Sequence, residues 1–432
     1  MDSLWTKEIA LPQFERLEQD ISTDVLIIGG GIAGLLCASR LHRLGVEYVL
    51  VEADRICSGV TRCTTAKITS QHGLKYHELI RRTGEARARL YLEANERAVR
   101  EYFALCREID CDFEERCAYL YSLQDRKCLE REARALQRLG FTASIVETPH
   151  LPFQSVGALR FAGQAQFHPL KFLAAIAAPL RICEHTKVRE LIGTTAVTDH
   201  ARIHAKRIVV ATHFPFLNKH GSYFLKLYQS RSYVCALEGA EDVDGMYLDA
   251  SGEGLSLRNA GKYLLVGGGG HRTGTRGGGW RDAAALAARA YPNAPIRYRF
   301  ATQDCMTLDG MPYVGRYSAR TDGLYVATGF GKWGMTGAMV AAELLADLLL
   351  GHENPYEALL SPSRTVLHPQ LAINAAHATW DLIRPSKRRC PHMGCALRWN
   401  AEERSWDCPC HGSRFDEQGR LLDSPATDDL DL

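Results

Sequence analysis

Asp24-Val-Leu-Ile-Ile-Gly29-Gly-Gly-Ile-Ala-Gly34 is the stretch that decides how the first part of this 432-residue chain folds. A short β-branched run ends on glycines, a helical pattern follows from Ile32 to Leu44, and a second strand is expected over Glu47–Glu52, so the unit reads as βαβ. The glycines fit G-x-G-x-x-G. Gly29 permits a tight turn, Gly31 lets the backbone approach a pyrophosphate, and Gly34 lets helix pack on strand, with Ile32 and Ala33 opening the helix N-terminus towards the anion. Glu52 ends the second strand about twenty residues on, where an acid accepts ribose hydroxyls.

Working outward, apolar spacing predicts two or more amphipathic helices from Tyr76 to Ile109, then strand, helix and strand over 115–150. A helix is expected from His168 to Pro179, with strands near Ile182, Val188–Ile192 and Ile203. Arg207–His213 reads as a buried strand ending at Thr212, and 222–300 as short strands with glycine clusters at 267–270 and 277–279. Gly323–Gly331 gives a strand and glycine turn before a helix Thr336–Leu350, so the chain is expected to return late to the sheet it opened. A second nucleotide fingerprint at Tyr263–Arg272 is not expected, because Arg272 occupies the third glycine's place.

Three features favour FAD over NAD: the fingerprint stands near the start, a strand ends at Ala211-Thr212, and a late glycine turn at Gly329–Gly334 can hold a flavin ring. With Ser58-Gly59 and the following Thr61 and Thr65, Asp309-Gly-Met-Pro-Tyr-Val-Gly315 and Gly329-Phe-Gly-Lys-Trp-Gly334-Met335-Thr336, the chain from about 20 to 350 resembles the D-amino-acid oxidase and glycine oxidase-like FAD-dependent oxidoreductases. The resemblance implies FAD, bound covalently or not, and oxidation of a carbon–nitrogen bond in an amine or amino acid. It adds Val188, Gly331 and Asp309 to the expected cofactor contacts. Cys305 reads as an ordinary core or turn cysteine.

Ten of the fourteen cysteines are scattered, whereas Cys390, Cys395, Cys408 and Cys410 crowd together with His392 and His411. Cys390-Pro-His392 and Cys408-Pro-Cys-His411 pair C-x-H with C-x-x-H. Two thiolates and two imidazoles suit a Rieske [2Fe–2S] centre, and the same donors serve tetrahedral zinc. Zinc fingers usually pair like ligands, whereas each arm here mixes them. Cys390–Cys395 and Cys408–Ser413 resemble the two cluster loops of the Rieske family, which implies a disulfide between Cys395 and Cys410 and a tuning hydrogen bond from Ser413. The β-strands that normally precede the first loop are missing, so either the main domain is the platform or cluster occupancy is compromised.

The chain is 46% hydrophobic, enough for a large core, and its net charge of +2 argues against a nucleic-acid or acidic-membrane footprint. Met1–Gln13 lacks the pattern of an export signal and Gly337–Leu350 is too short and polar to span a bilayer, so a cytoplasmic protein without an integral membrane segment is expected. The expected fold is α/β (α+β): a Rossmann-type FAD-binding part (about 20–75, 151–215 and 301–350), an inserted antiparallel-sheet substrate part (about 76–150 and 216–300), a linker 351–385 and a truncated Rieske module 386–432. Together they imply a dehydrogenase passing electrons from a small amine or amino-acid-like substrate through FAD and the cluster to an acceptor protein or quinone. His72, Arg258, His271, Lys332 and Trp333 are candidates to face the flavin, with Arg258 and Lys332 suited to a substrate carboxylate. Two other functions remain open, an electron-transfer reductase serving a partner and a zinc or disulfide redox sensor.

Overall fold

Val25, Leu26 and Ile27 are completely buried in the strand Ile21–Ile28 because parallel neighbours flank it and helices cover it. Tyr48–Val51 pairs on one side and Arg202–Val210 on the other, both in parallel. Ile182–Cys183 extends the sheet beyond Tyr48–Val51, and Leu324–Thr328 beyond Arg202–Val210, again in parallel. Tyr313–Arg316 closes that edge antiparallel. The late return to the opening sheet is therefore observed. The computed structural model describes residues 3–217, 220–251, 254–275, 277–364 and 367–431.

The second sheet has nine strands and is built around two long ones, Leu227–Glu238 and Ile296–Thr307, paired from Leu227↔Thr307 to Leu237↔Ile296. The middle region is thus less fragmented than its glycines suggest. Gly277–Gly279 lead into a helix, Trp280–Ala290, that sequence reading did not place. Ala158–Gln166 and the 301–307 end of the strand Ile296–Thr307, grouped by sequence with the nucleotide part, also run in this sheet. Its pairing is antiparallel except between Glu114–Tyr121 and Met246–Asp249, whose long intervening segment permits the parallel crossover.

The last unit is a four-stranded antiparallel sheet of Arg398–Asn400, Ser405–Asp407, Arg414–Phe415 and Leu421–Asp423. Where a linker was expected, Pro369–Ile383 forms a helix with proline at its start and the His368 ring accepting from Gln370 N at 3.2 Å. This helix packs Ala378 against the apolar cluster that contains the four cysteines, and its Asp381 carbonyl accepts from Ala396 N at 2.8 Å. Among the described residues no helix is long and apolar enough to cross a membrane.

His168 caps the helix Pro169–Ala177 by accepting from Lys171 N on Nδ1 at 3.1 Å. Capping needs that lone pair, and burial pushes the imidazole down to about 4. In the unfolded chain it titrates near 6.5. As pH falls from about 6.5 towards about 4 the unfolded state takes up a proton that the folded state refuses, so stability is lost across that window and is constant above it. Urea unfolding of the protein against pH should show this fall. His168→Asn, which can still cap, should flatten it; parallel curves would refute the assignment.

Candidate functional site

The glycine turn is closed so tightly that side chains are barred. Gly29 has φ +114° and a Cβ there would lie 2.7 Å from the Ala211 carbonyl oxygen; at Gly34 it would lie 1.9 Å from that of Gly29. Gly31 by contrast faces only the Thr61 hydroxyl, at 3.4 Å. That hydroxyl accepts from Ile32 N at 3.1 Å, bringing the predicted Thr61 to the helix start. Glu52 accepts from Gly30 N at 2.6 Å and Asp54 N at 3.0 Å, and burial raises its carboxyl. A cradle that only glycine fits, a helix N-terminus and an acid beyond the second strand make a set suited to the diphosphate and ribose of FAD.

Sequence reading missed Glu184, whose buried carboxylate accepts from Ile56 N at 2.7 Å and Phe14 N at 3.1 Å and so fixes the segment leading to Ser58. Thr65 lies partly exposed just before the strand Lys67–Ile68, and Val188 is packed in the apolar cluster of Leu26, Val49 and Val51. Asp309 is engaged bidentately by Arg364 at 2.8 Å and accepts from Met311 N at 3.1 Å, so it shapes its own turn.

The late turn bends at Gly329 and Gly331, with φ +73° and +58°, and Gly331 N donates to the Cys305 carbonyl at 2.9 Å. Gly334, Met335 and Thr336 then open the helix Gly334–Leu350. His72 comes to this helix start from far upstream. Its ring stacks on Trp333 at 4.5 Å, Nε2 lies 3.2 Å from the Thr336 hydroxyl and Nδ1 2.8 Å from that of Tyr91. Burial pushes this imidazole down to about 3, so it is neutral.

The other candidates separate from this group. Arg258 is buried with its guanidinium on the carbonyls of Ala66, Phe167 and Asn259 and over the Trp5 ring, which makes it a structural cation rather than the expected carboxylate partner. Lys332 reaches Ser232 Oγ at 2.6 Å and lies 3.8 Å from Asp304. His271 stacks on Tyr233, whose hydroxyl donates to Glu403 of the last unit at 2.8 Å. His271 thus stands on the side where that unit docks.

Lys67 has no motif to announce it. Its amine donates to the Tyr247 carbonyl at 2.8 Å and the Ser256 hydroxyl at 2.6 Å, and burial, with Arg258 adding to it, pushes it down to about 7. A neutral amine has two N–H groups and one lone pair, so these two bonds leave the lone pair for an incoming proton.

The two cysteine–histidine loops share one turn: Gly394 N donates to the Cys390 carbonyl at 2.8 Å and Gly412 N to that of Cys408 at 2.9 Å, both glycines having positive φ. The Cys408 sulfur stands within 4.8 Å of those of Cys395 and Cys410, and that of Cys390 adjoins it. Cys395 and Cys410 are adjacent free thiols here. The His392 and His411 rings stand 4.9 Å apart and nearly perpendicular. His411 Nε2 lies 3.1 Å from the Phe224 carbonyl, which can only accept, so Nε2 carries the hydrogen and Nδ1 keeps its lone pair. Cys390, Cys408, His392 and His411 therefore fit a [2Fe–2S] cluster held by two thiolates and two imidazole nitrogens. Ser413 accepts from Ala426 N at 3.0 Å.

The main domain supplies the platform. Gln303 donates to the Gly412 carbonyl at 2.8 Å, and a Cβ on Gly412 would lie 2.2 Å from Gln229 Cγ. Phe214 presents its ring to both histidines at 6.4 and 6.1 Å. Arg231 forms a close ion pair with Glu403, which Arg414 also meets at 2.8 Å.

The FAD dependent oxidoreductase family model matches residues 24–348 and the Rieske [2Fe-2S] domain model residues 365–431. The chain is 35% identical over 489 aligned positions to YhfW of Bacillus subtilis (strain 168), described as a Rieske 2Fe-2S iron-sulfur protein, covering 98% of this chain and 96% of that one. Because the alignment is longer than this chain, the relative carries segments absent here. In fold the chain is similar to glycine oxidase from Geobacillus kaustophilus (TM-score 0.68, 19% identity, 80% of this chain and 99% of that one). It is equally similar to L-proline dehydrogenase from P. horikoshii (TM-score 0.68, 18% identity, 80% and 98%). With a glycine cradle for FAD in one half and a mixed thiolate–imidazole site in the other, the chain belongs to the FAD-dependent oxidoreductases of the D-amino-acid oxidase type that carry a C-terminal Rieske [2Fe–2S] domain.

Proposed function

We propose that this oxidoreductase acts in the cytoplasm as a dehydrogenase of a small amine or amino-acid-like substrate, oxidising its carbon–nitrogen bond and passing electrons through the cluster to an external acceptor. FAD takes up the substrate's electrons as a pair and the cluster releases them singly. One observation carries the reading. On the strand Ile296–Thr307, Gln303 holds the cluster loop through Gly412, and Cys305, two residues along, holds the late glycine turn through Gly331. Two extended residues span only ~7 Å, so one strand braces both sites.

His72 and Trp333 form an aromatic, uncharged wall at the late glycine turn. The scattered free thiols accord with a reducing compartment.

Anaerobic titration with amino acids and N-methylated amines tests this. The expected result is bleaching of the flavin absorbance by an amine, followed by the electron paramagnetic resonance signal of a reduced Rieske cluster. Reduction by NAD(P)H alone would favour the reductase, and zinc without iron would favour the sensor.

A further inference from the structure

The helix Pro369–Ile383 turns an apolar stripe to solvent. Ile373 is 47% exposed, Trp380 61% and Ile383 69%, at helical spacing, with Ala372 and Ala376 exposed beside them. The helix's one charged residue, Asp381, is buried and paired with Arg398 at 2.8 Å. Beyond the helix the chain turns basic: Arg384, Lys387 and Arg389 are exposed, and residues 382–401 contain no acid. Arg389 donates to the carbonyls of Leu382, Arg384 and Gly394 at 3.0, 3.0 and 2.7 Å, so the helix end and the loop bearing His392 share one surface.

The two cluster imidazoles differ in direction. His411 is 2% exposed and bound to the Phe224 carbonyl of the main domain, whereas His392 is partly exposed in the loop that Arg389 joins to the helix. The side of the cluster site nearest solvent therefore lies beside an apolar patch with a cationic rim.

We propose that this surface docks the electron acceptor, and that the acceptor is a redox protein whose centre is rimmed by carboxylates. The inference rests on the reading that electrons leave through the cluster. Charge complementarity names the partner: a local excess of fixed cations steers an acidic surface, and the apolar centre gives it area to bury. A small patch beside one cofactor is the scale of transient electron-transfer contacts.

The full chain, reduced with dithionite under anaerobic conditions and freed of excess reductant, is mixed in stopped flow with an acidic c-type cytochrome, and with a basic one as control. The acidic cytochrome should be reduced faster, with a rate that falls as salt rises. Arg384→Glu combined with Lys387→Glu should slow it ~10-fold, and Ile383→Asp should also slow it. The variants should keep the cluster's resonance signal and reduce the small neutral oxidant 1,4-benzoquinone at the unaltered rate, which separates docking from cluster damage. Unchanged cytochrome kinetics in the variants, or preference for the basic cytochrome, would overturn the proposal. So would a dimer abolished by Ile383→Asp in sedimentation velocity, or binding to phosphatidylglycerol vesicles that the charge variant abolishes while cytochrome kinetics stay the same. Failure of every amine to bleach the flavin, with these kinetics intact, would sink the amine reading and leave the docking surface standing.

Discussion

Replacing Cys408 by serine should strip the protein of iron and acid-labile sulfide while leaving its flavin bound. The thiolate is the ligand form of cysteine, and a serine hydroxyl does not ionise to replace it. Cys408 is completely buried at the centre of the sulfur group, so no neighbouring solvent ligand substitutes for it. The FAD cradle is made of Gly29, Gly34 and Glu52 on another sheet and shares no residue with the loop Cys408–Ser413. Iron, sulfide and flavin assays on purified Cys408→Ser should therefore diverge. Because Cys395 and Cys410 also lie within 4.8 Å, Cys395→Ser is the control, expected to keep its iron. Loss of metal from Cys395→Ser with retention in Cys390→Ser would mean that another set of sulfurs holds it, and zinc in place of iron would refute the cluster.

What the sequence disclosed follows from distance along the chain. Gly29, Gly34 and Glu52 belong to one βαβ unit, and each cluster loop is a run of six residues, so residue type and spacing carry the chemistry directly. Contacts across long intervals leave no such mark. Glu184 meets Ile56 across 128 residues, Lys67 meets Ser256 across 189, and Arg231 meets Glu403 across 172. The helix Pro369–Ile383 was obscured differently: the surrounding prolines suggest a connector, yet Pro369 stands at a helix's first position, where its missing N–H is harmless, and Pro385 follows the end. Its apolar stripe faces outward, so periodicity did not point to a core. Arg258, selected as a possible carboxylate partner, needed its three backbone carbonyls to be seen before its structural role was evident.

The platform that replaces the missing Rieske strands predicts the second large effect, at Glu403. Its side chain is 2% exposed between Arg231 and Arg414, themselves 5% and 7% exposed, and Tyr233 donates to it at 2.8 Å. Burial alone would raise this carboxyl, yet the two guanidinium groups hold it below its ordinary value. Glu403→Ala leaves Arg231 buried with Asp423, at 3.7 Å, as its remaining ion-pair partner among the described residues, and breaking a buried pair from one side costs about 3–5 kcal/mol. Arg414 keeps Asp407 at 3.0 Å and Asp423 at 2.9 Å, so the harm should centre on the junction between main domain and cluster unit. Urea unfolding should show a lowered midpoint, and proteolysis should cut between the domains, where the native protein resists. Arg231→Met combined with Glu403→Leu removes both charges and should be milder than Glu403→Ala alone, because apolar groups of similar volume replace a desolvated pair at little net cost. If the double variant is as unstable as the sum of its single changes, the two side chains are uncoupled and the latch is not what holds the cluster unit to the flavin-binding half.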